Sequence, residues 1–198
     1  MGRFKFGLAS LNCDGWRGIA LLAICALFEA LAIQGFPVVA ALQYDRTAIV
    51  GGEWWRLLTA HIVHLGTLHA TLNIAGLALI WALFAREYSL RRWVVIALAS
   101  VAAIDAGLWL REPEIEWYVG ASGALHGAVA AGAVARIRRR DRDGWLLAAF
   151  LAAKLTYEQF AGAMPFSAGI GPVLVNAHLY GAIGALAAAL PQRGHRSL

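Results

Sequence analysis

Charge is scarce in this sequence. Only 15% of the 198 residues are Asp, Glu, Lys or Arg, while 60% are hydrophobic. Soluble domains carry about a quarter charged residues and are nearer half apolar. A water-soluble globular fold is therefore excluded, and lipid is the solvent that suits the excess. Cysteine is scarce too. There are 2, Cys13 in a short charged N-terminal segment and Cys25 in an apolar run, so no disulfide framework is expected. No long linker and no polar stretch large enough for a separate soluble domain is visible, and residues 1–198 read as a single membrane domain. There is no inverted repeat with paired broken helices, which disfavours a transporter. The net charge of +5 invites a nucleic-acid reading. The basic residues are segregated into alternate loops instead, so no nucleic-acid partner is expected.

What is present is a run of six apolar stretches, at about 16–36, 65–85, 93–110, 121–135, 144–160 and 172–190. They predict an all-α membrane protein, a bundle of six transmembrane helices. The first superficially resembles a signal peptide, because Arg3 and Lys5 precede it. It is long for such a segment and begins late. Lys and Arg counts set the orientation. Arg3, Lys5 and Arg17 lie in the first tail, Arg86, Arg91 and Arg92 in the turn after the second span, and Arg193 and Arg196 in the last tail. Arg136, Arg138, Arg139, Arg140 and Arg142 follow the fourth span, whereas the other loops hold only Arg46, Arg56 and Arg111. Both termini are expected in the cytoplasm. The long outward loop at residues 37–64 carries Glu53-Trp54-Trp55-Arg56, and its adjacent tryptophans suit a membrane interface. It is expected to form short interfacial helices.

Polar side chains inside a membrane are costly and therefore functional suspects. The fourth stretch has about fifteen apolar residues before Arg136, roughly 22 Å of helix against about 30 Å of hydrocarbon. With its inner end pinned by arginines, its outer end, carrying Ser122, starts below the outer surface. His178 lies six residues into the sixth stretch, about 9 Å down. His69 and Asn73, four apart on one face of the second, lie about 6 and 12 Å down. The four converge on one layer. A serine hydroxyl becomes nucleophilic when a base takes its proton, and neutral histidine is the usual base near pH 7. Asn73, His69 and the Ser122 backbone N–H at a helix N-terminus can supply donors to an oxyanion. No Asp or Glu lies at this depth in the sixth stretch, so a Ser–His dyad is expected. Gly120, Gly123 and Gly127 form one small-residue stripe and Ala177, Gly181 and Gly184 another, which lets the two helices approach closely. Lys154 and Glu158 are expected to neutralise each other within the fifth stretch. Asp105 and Glu29 have no partner nameable from sequence.

These residues resemble the rhomboid intramembrane serine proteases. Trp55-Arg56 resembles the family's outer-loop Trp-Arg element, and His64, His69 and Asn73 match its second-span pattern. Gly120-Ala121-Ser122-Gly123 is similar to its Gly-x-Ser-Gly motif, and Ala177-His178 with Gly181 resembles its Ala-His-x-x-Gly motif. The resemblance implies Ser122 as nucleophile and His178 as base. It implies an oxyanion hole of His69, Asn73 and the Ser122 N–H. Gly120, Gly123 and Arg56 would support the site, Arg56 by binding loop carbonyls. His64 would be structural. No metal or cofactor is implied. Two departures stand out. A family histidine position is occupied by Ala60, with His61 displaced by one and assigned no role. Where the family often carries tyrosine, four after the serine, stands His126, read either as an aromatic partner orienting His178 or as a rival base. Residues 120–127, Gly-Ala-Ser-Gly-Ala-Leu-His-Gly, resemble the rhombosortase subgroup. That implies membrane-anchored substrates of the bacterial cytoplasmic membrane: exported proteins ending in Gly-Gly, an apolar helix and a basic tail. Cleavage would face the outer side, with water or an amine acceptor resolving the acyl-enzyme. The alternatives are a general rhomboid protease with broader substrates, a non-enzymatic relative that binds membrane helices, and a haem site using His69 and His178.

Overall fold

The computed structural model of the chain describes residues 12–165 and 171–190. Arg3, Lys5, Arg193 and Arg196, used above for orientation, lie outside the described residues. Helix α1 spans Gly15–Ile33, and three short helices follow: α2 (Phe36–Leu42), α3 (Arg46–Val50) and α4 (Arg56–Thr59). Next come α5 (Thr67–Phe84), α6 (Leu90–Arg111), α7 (Ser122–Arg138), α8 (Arg142–Ala161) and α9 (Val175–Ala189). Two-residue strands β1 (Tyr44–Asp45) and β2 (Trp117–Tyr118) pair antiparallel. The six longer helices follow the order of the six apolar stretches. Three of them, α1, α5 and α6, are long and apolar enough to cross a membrane, while α9 is apolar but has 15 residues.

Local chemistry fixes the boundaries. The first apolar stretch ends at Ile33 rather than 36, because Pro37 sits in the first turn of a new helix, where its missing N–H costs nothing. Ser89 caps α6 by accepting from the Arg92 N–H, and Asp141 caps α8 by accepting from the Asp143 N–H at 3.0 Å. The arginines in the last turn of α7 close helix C-termini. Arg136 donates to the Leu83 carbonyl at the end of α5 (2.8 Å), and Arg138 to those of Ala189 and Leu190 at the end of α9 (2.9 and 2.6 Å). Arg92 donates to the Ala188 carbonyl. These orphan carbonyls have no intrahelical partner, and a guanidinium fork suits them.

Burial is inverted relative to a soluble protein. Leu22, Phe36, Leu146, Phe150 and Phe160 are 69–89% exposed, as a lipid-facing surface requires. The interior is built from small residues. Helix α7 packs on α5, α6, α8 and α9, burying Gly123, Gly127, Ala130, Ala131, Gly132, Ala133 and Ala135. Its closest neighbour is α9. There Gly181 faces the Gly123 backbone, and a Cβ on Gly123 would stand 2.7 Å from the Ala177 carbonyl oxygen. Ser100 of α6, fully buried, donates to the Gly181 carbonyl at 3.0 Å and locks the third helix to the pair.

The segment at residues 37–64 is ordered as short helices, as expected. Arg56, 7% exposed, donates to the Ala40 and Gln43 carbonyls (2.8 and 3.0 Å) and to Glu53 Oε2 (2.7 Å). Arg46 donates to the Leu108 and Glu112 carbonyls at the end of α6 (2.6 and 3.0 Å). His61, assigned no role from sequence, meets Asp105 of α6 at 3.1 Å, giving Asp105 the partner that sequence did not name. Gly181→Leu should force α7 and α9 apart, lowering stability by about 2 kcal/mol. A lower unfolding midpoint in detergent would register this, with Leu146→Ala, on the exposed surface, unchanged.

Candidate active site

Ser122 is the first residue of α7. It follows Gly120, whose φ of +117° admits glycine far more readily than other residues. A Cβ at Gly120 would also lie 3.0 Å from the His69 ring. The turn is held by Tyr118, whose hydroxyl donates to the Gly120 carbonyl at 2.8 Å, and by the Gly120 N–H donating to the Ala60 carbonyl at 2.9 Å. The first N–H groups of α7 have no intrahelical acceptor, and the helix dipole makes this end favourable to negative charge.

His178 is 5% exposed, and its Nε2 lies 3.0 Å from Ser122 Oγ. It sits one turn nearer the start of its helix than the apolar stretch implied. Gly171, with φ of +88°, and Pro172 keep the approach extended, and α9 begins at Val175. The small residues at Gly123, Ala177 and Gly181 set this separation, because bulkier side chains would move Ser122 away from the ring.

Beside the expected Ser122–His178 pair the structure places a carboxylate that the sequence did not assign to it. His178 Nδ1 is 3.0 Å from Oε2 of Glu158, a residue of α8 that is 2% exposed. The Lys154–Glu158 pair is present, with Nζ donating to Oε1 at 2.6 Å, but it occupies only one carboxylate oxygen. The sixth stretch holds no acid at this depth, and the carboxylate arrives instead from the neighbouring helix α8. The available signal was the presence of a carboxylate within an apolar stretch.

His126 stacks on His178, with ring centroids 4.1 Å apart and planes 17° from parallel. Its Nδ1–H donates to the Ser122 carbonyl at 2.7 Å. Nδ1 therefore carries its proton and is not available as a base. His126, Glu158 and His178 bring ligand-type atoms within 4.8 Å of one another. Nearly parallel rings aim their in-plane lone pairs side by side, so an ion between them would lie outside both planes. His178 also has both nitrogens engaged, which does not suit an axial haem ligand.

His69 Nδ1 accepts from the Leu65 N–H at 3.3 Å, which puts its proton on Nε2, the nitrogen facing Gly120. Asn73 donates one amide N–H to the His69 carbonyl at 3.0 Å, leaving one donor, and its Oδ1 is buried without a partner. His64, fully buried, packs between Phe28 and His69 with centroids 4.8 and 5.0 Å away. Burial, reinforced by His69, holds it down to about 3, so it is neutral. His69, Asn73, Ser122, His126, Glu158 and His178 all line a cleft of about 1070 Å³ whose other walls are mostly apolar side chains of α5, α7, α8 and the segments before α7 and α9, with Glu114, Glu116 and Lys154 among them. The arrangement has the parts for acyl transfer: a hydroxyl beside a base, the base oriented by a carboxylate, and donors at a helix N-terminus.

The family model "Rhomboid domain" matches residues 51–193. YdcA of Bacillus subtilis (strain 168) is 32% identical over 79 residues, covering 40% of this chain and 40% of that protein. The rhomboid protease GluP of the same organism is 32% identical over 87 residues, covering 44% of this chain and 17% of that protein. The matched part is thus less than half the length of either relative.

Tyr118→Phe should leave the Gly120 carbonyl unpaired beside the site and lower stability by about 1–3 kcal/mol. Unfolding of the wild type and the variant in the same detergent would measure the difference.

Proposed function

The chain belongs to the rhomboid domain family, and from that premise we propose that it is an intramembrane serine endopeptidase, with Ser122 as nucleophile and His178 as general base. The observation that carries this reading is the 3.0 Å approach of Ser122 Oγ to His178 Nε2 in a cleft walled mostly by apolar side chains. Residues 1–198 form one rhomboid-like membrane domain with six spans. Both termini lie in the cytoplasm, and the site faces the outer side of a bacterial cytoplasmic membrane.

The steps follow from the geometry. A substrate helix unwinds locally in the cleft, because an intact helix hides its carbonyls. His178 Nε2 takes the Ser122 proton as Oγ attacks the scissile carbonyl carbon. Negative charge gathers on the carbonyl oxygen, near the α7 N-terminus, the remaining Asn73 N–H and the His69 Nε2–H. As the tetrahedral species collapses, the C–N bond breaks and His178 protonates the departing amine. Water, or an amine acceptor, then attacks the ester with His178 again as base. The stacked His126 holds the imidazole plane through this exchange.

His126, in place of the frequent tyrosine, supports a narrower substrate class. On this rhombosortase-like reading the substrates are exported proteins cleaved near a C-terminal Gly-Gly that precedes an apolar helix and a basic tail. A second reading, a general rhomboid protease with broader membrane-protein substrates, is favoured by the size and apolar character of the cleft. A purely helix-binding protein would have no use for the Ser122–His178 contact.

A reporter ending in Gly-Gly, an apolar helix and a basic tail, co-expressed with the wild type, should be cleaved. Cleavage should be lost with Ser122→Ala and with His178→Ala, and product mass would separate hydrolysis from transfer to an amine. Survival of cleavage in Ser122→Ala would remove the serine mechanism. Cleavage of an ordinary rhomboid substrate alone would favour the second reading. Asn73→Ala should lower kcat by about 10²-fold, the usual effect of deleting one oxyanion donor, with little change in KM.

A further inference from the structure

Glu158 belongs to α8 and faces the site across a helix boundary. A carboxylate in such surroundings is expensive unless its charge is paired and its lone pairs are used. Lys154, one turn away on the same face, supplies the charge through Oε1 at 2.6 Å. Neutralisation alone would need nothing more. The second oxygen is nevertheless committed, at 3.0 Å, to Nδ1 of His178.

This contact decides which nitrogen of His178 is the base. A carboxylate oxygen can only accept, so Nδ1 must carry the proton. The lone pair of the neutral ring then lies on Nε2, which points to Ser122 Oγ at 3.0 Å. The stacked His126 fixes the plane of the ring, and Glu158 fixes its rotation within that plane. Together they leave one orientation. The charged or titratable groups around Glu158 are Lys154 from its own helix, His126 from α7 and His178 from α9.

We propose that Glu158 is a positioning residue that acts through His178, making Ser122, His178 and Glu158 a three-member relay in which Lys154 tethers the carboxylate. The proposal rests on the Ser122–His178 reading and deepens it. In the first step the proton leaves Ser122 Oγ for Nε2, and the Nδ1 proton stays on the ring. Glu158 stays ionised throughout and stabilises the imidazolium that forms. Replacing it by an amide would let an N–H donate to Nδ1, placing the ring proton on Nε2, where it faces Ser122 and removes the base. A carboxylate-to-amide change of this kind in a soluble serine protease triad costs about 10⁴-fold in kcat.

The test uses the full chain in detergent micelles with histidine ring nitrogens labelled. The wild type at neutral pH should show His178 protonated at Nδ1 with that proton shifted strongly downfield, and Glu158→Gln should abolish the downfield signal. A wild-type His178 protonated at Nε2 instead would overturn the proposal without any variant having to fold. A fluorophosphonate probe supplies the functional arm, since its attachment reports serine activation without a substrate. Attachment to Ser122 should slow by roughly 10²-fold or more in Glu158→Gln and recover in part in Glu158→Asp. Equal rates in the wild type and a folded Glu158→Gln would overturn the relay while leaving the Ser122–His178 pair standing. Undiminished attachment in Ser122→Ala would overturn the underlying reading, and the relay with it.

Discussion

The backbones of α7 and α9 meet at Gly123 and Gly181 with no side chain between them, and the site depends on that approach. Ser122 precedes Gly123 directly, and His178 lies one turn before Gly181. Once the two glycines are in contact, the hydroxyl and the imidazole are within hydrogen-bond reach. Ser100 reaches the Gly181 carbonyl from α6. The large side chains are mostly turned outward, where a lipid-facing surface accepts them. The bundle holds together through close packing of small residues rather than a thick apolar core.

The second constraint is that polar groups in such a setting must find partners. The His178 nitrogens contact Ser122 and Glu158, and the second oxygen of Glu158 meets Lys154. His126 donates its Nδ1–H to the Ser122 carbonyl while stacking on His178. The loop at residues 37–64 meets the same demand. Arg56 gathers carbonyls from the loop itself, Arg46 and His61 attach it to α6, and the Ala60 carbonyl, accepting from the Gly120 N–H, ties it to the turn before Ser122. A loop fastened in this way acts as scaffold for the start of α7. Near Ser122 the α7 N-terminus, one Asn73 N–H and the His69 Nε2–H are left to meet an oxyanion, while away from it, among the described residues, the Tyr44 hydroxyl and the His64 ring are also buried without a hydrogen-bond partner.

Much of this was legible in the residues because it is local. Glycine spacing around Ser122 and around His178 announces close packing, and the spacing of His69 and Asn73 announces a shared helix face. Arg56 beside Trp54 and Trp55 announces an interfacial loop. What escaped depends on contacts between helices or on where a helix begins. Within its own stretch Glu158 has only Lys154 as a visible partner. Its approach to His178 depends on how α8 packs against α7 and α9, which no pattern within one stretch encodes. The apolar stretch begins before α9 does, because it marks where lipid is tolerated, whereas Gly171 and Pro172 precede the start of helix geometry at Val175. His61 and Asp105 each looked isolated, since the loop that joins them folds back over forty-four positions of sequence.

The central claim is that the Ser122 hydroxyl is activated by His178. The most direct measurement is to expose the intact wild-type chain in detergent to a fluorophosphonate and to map the adduct by peptide mass spectrometry, beside His178→Ala. The account predicts a single adduct on Ser122 in the wild type and none on the same timescale in His178→Ala. An unreactive wild type, an adduct on another residue, or equal labelling without His178 would contradict it.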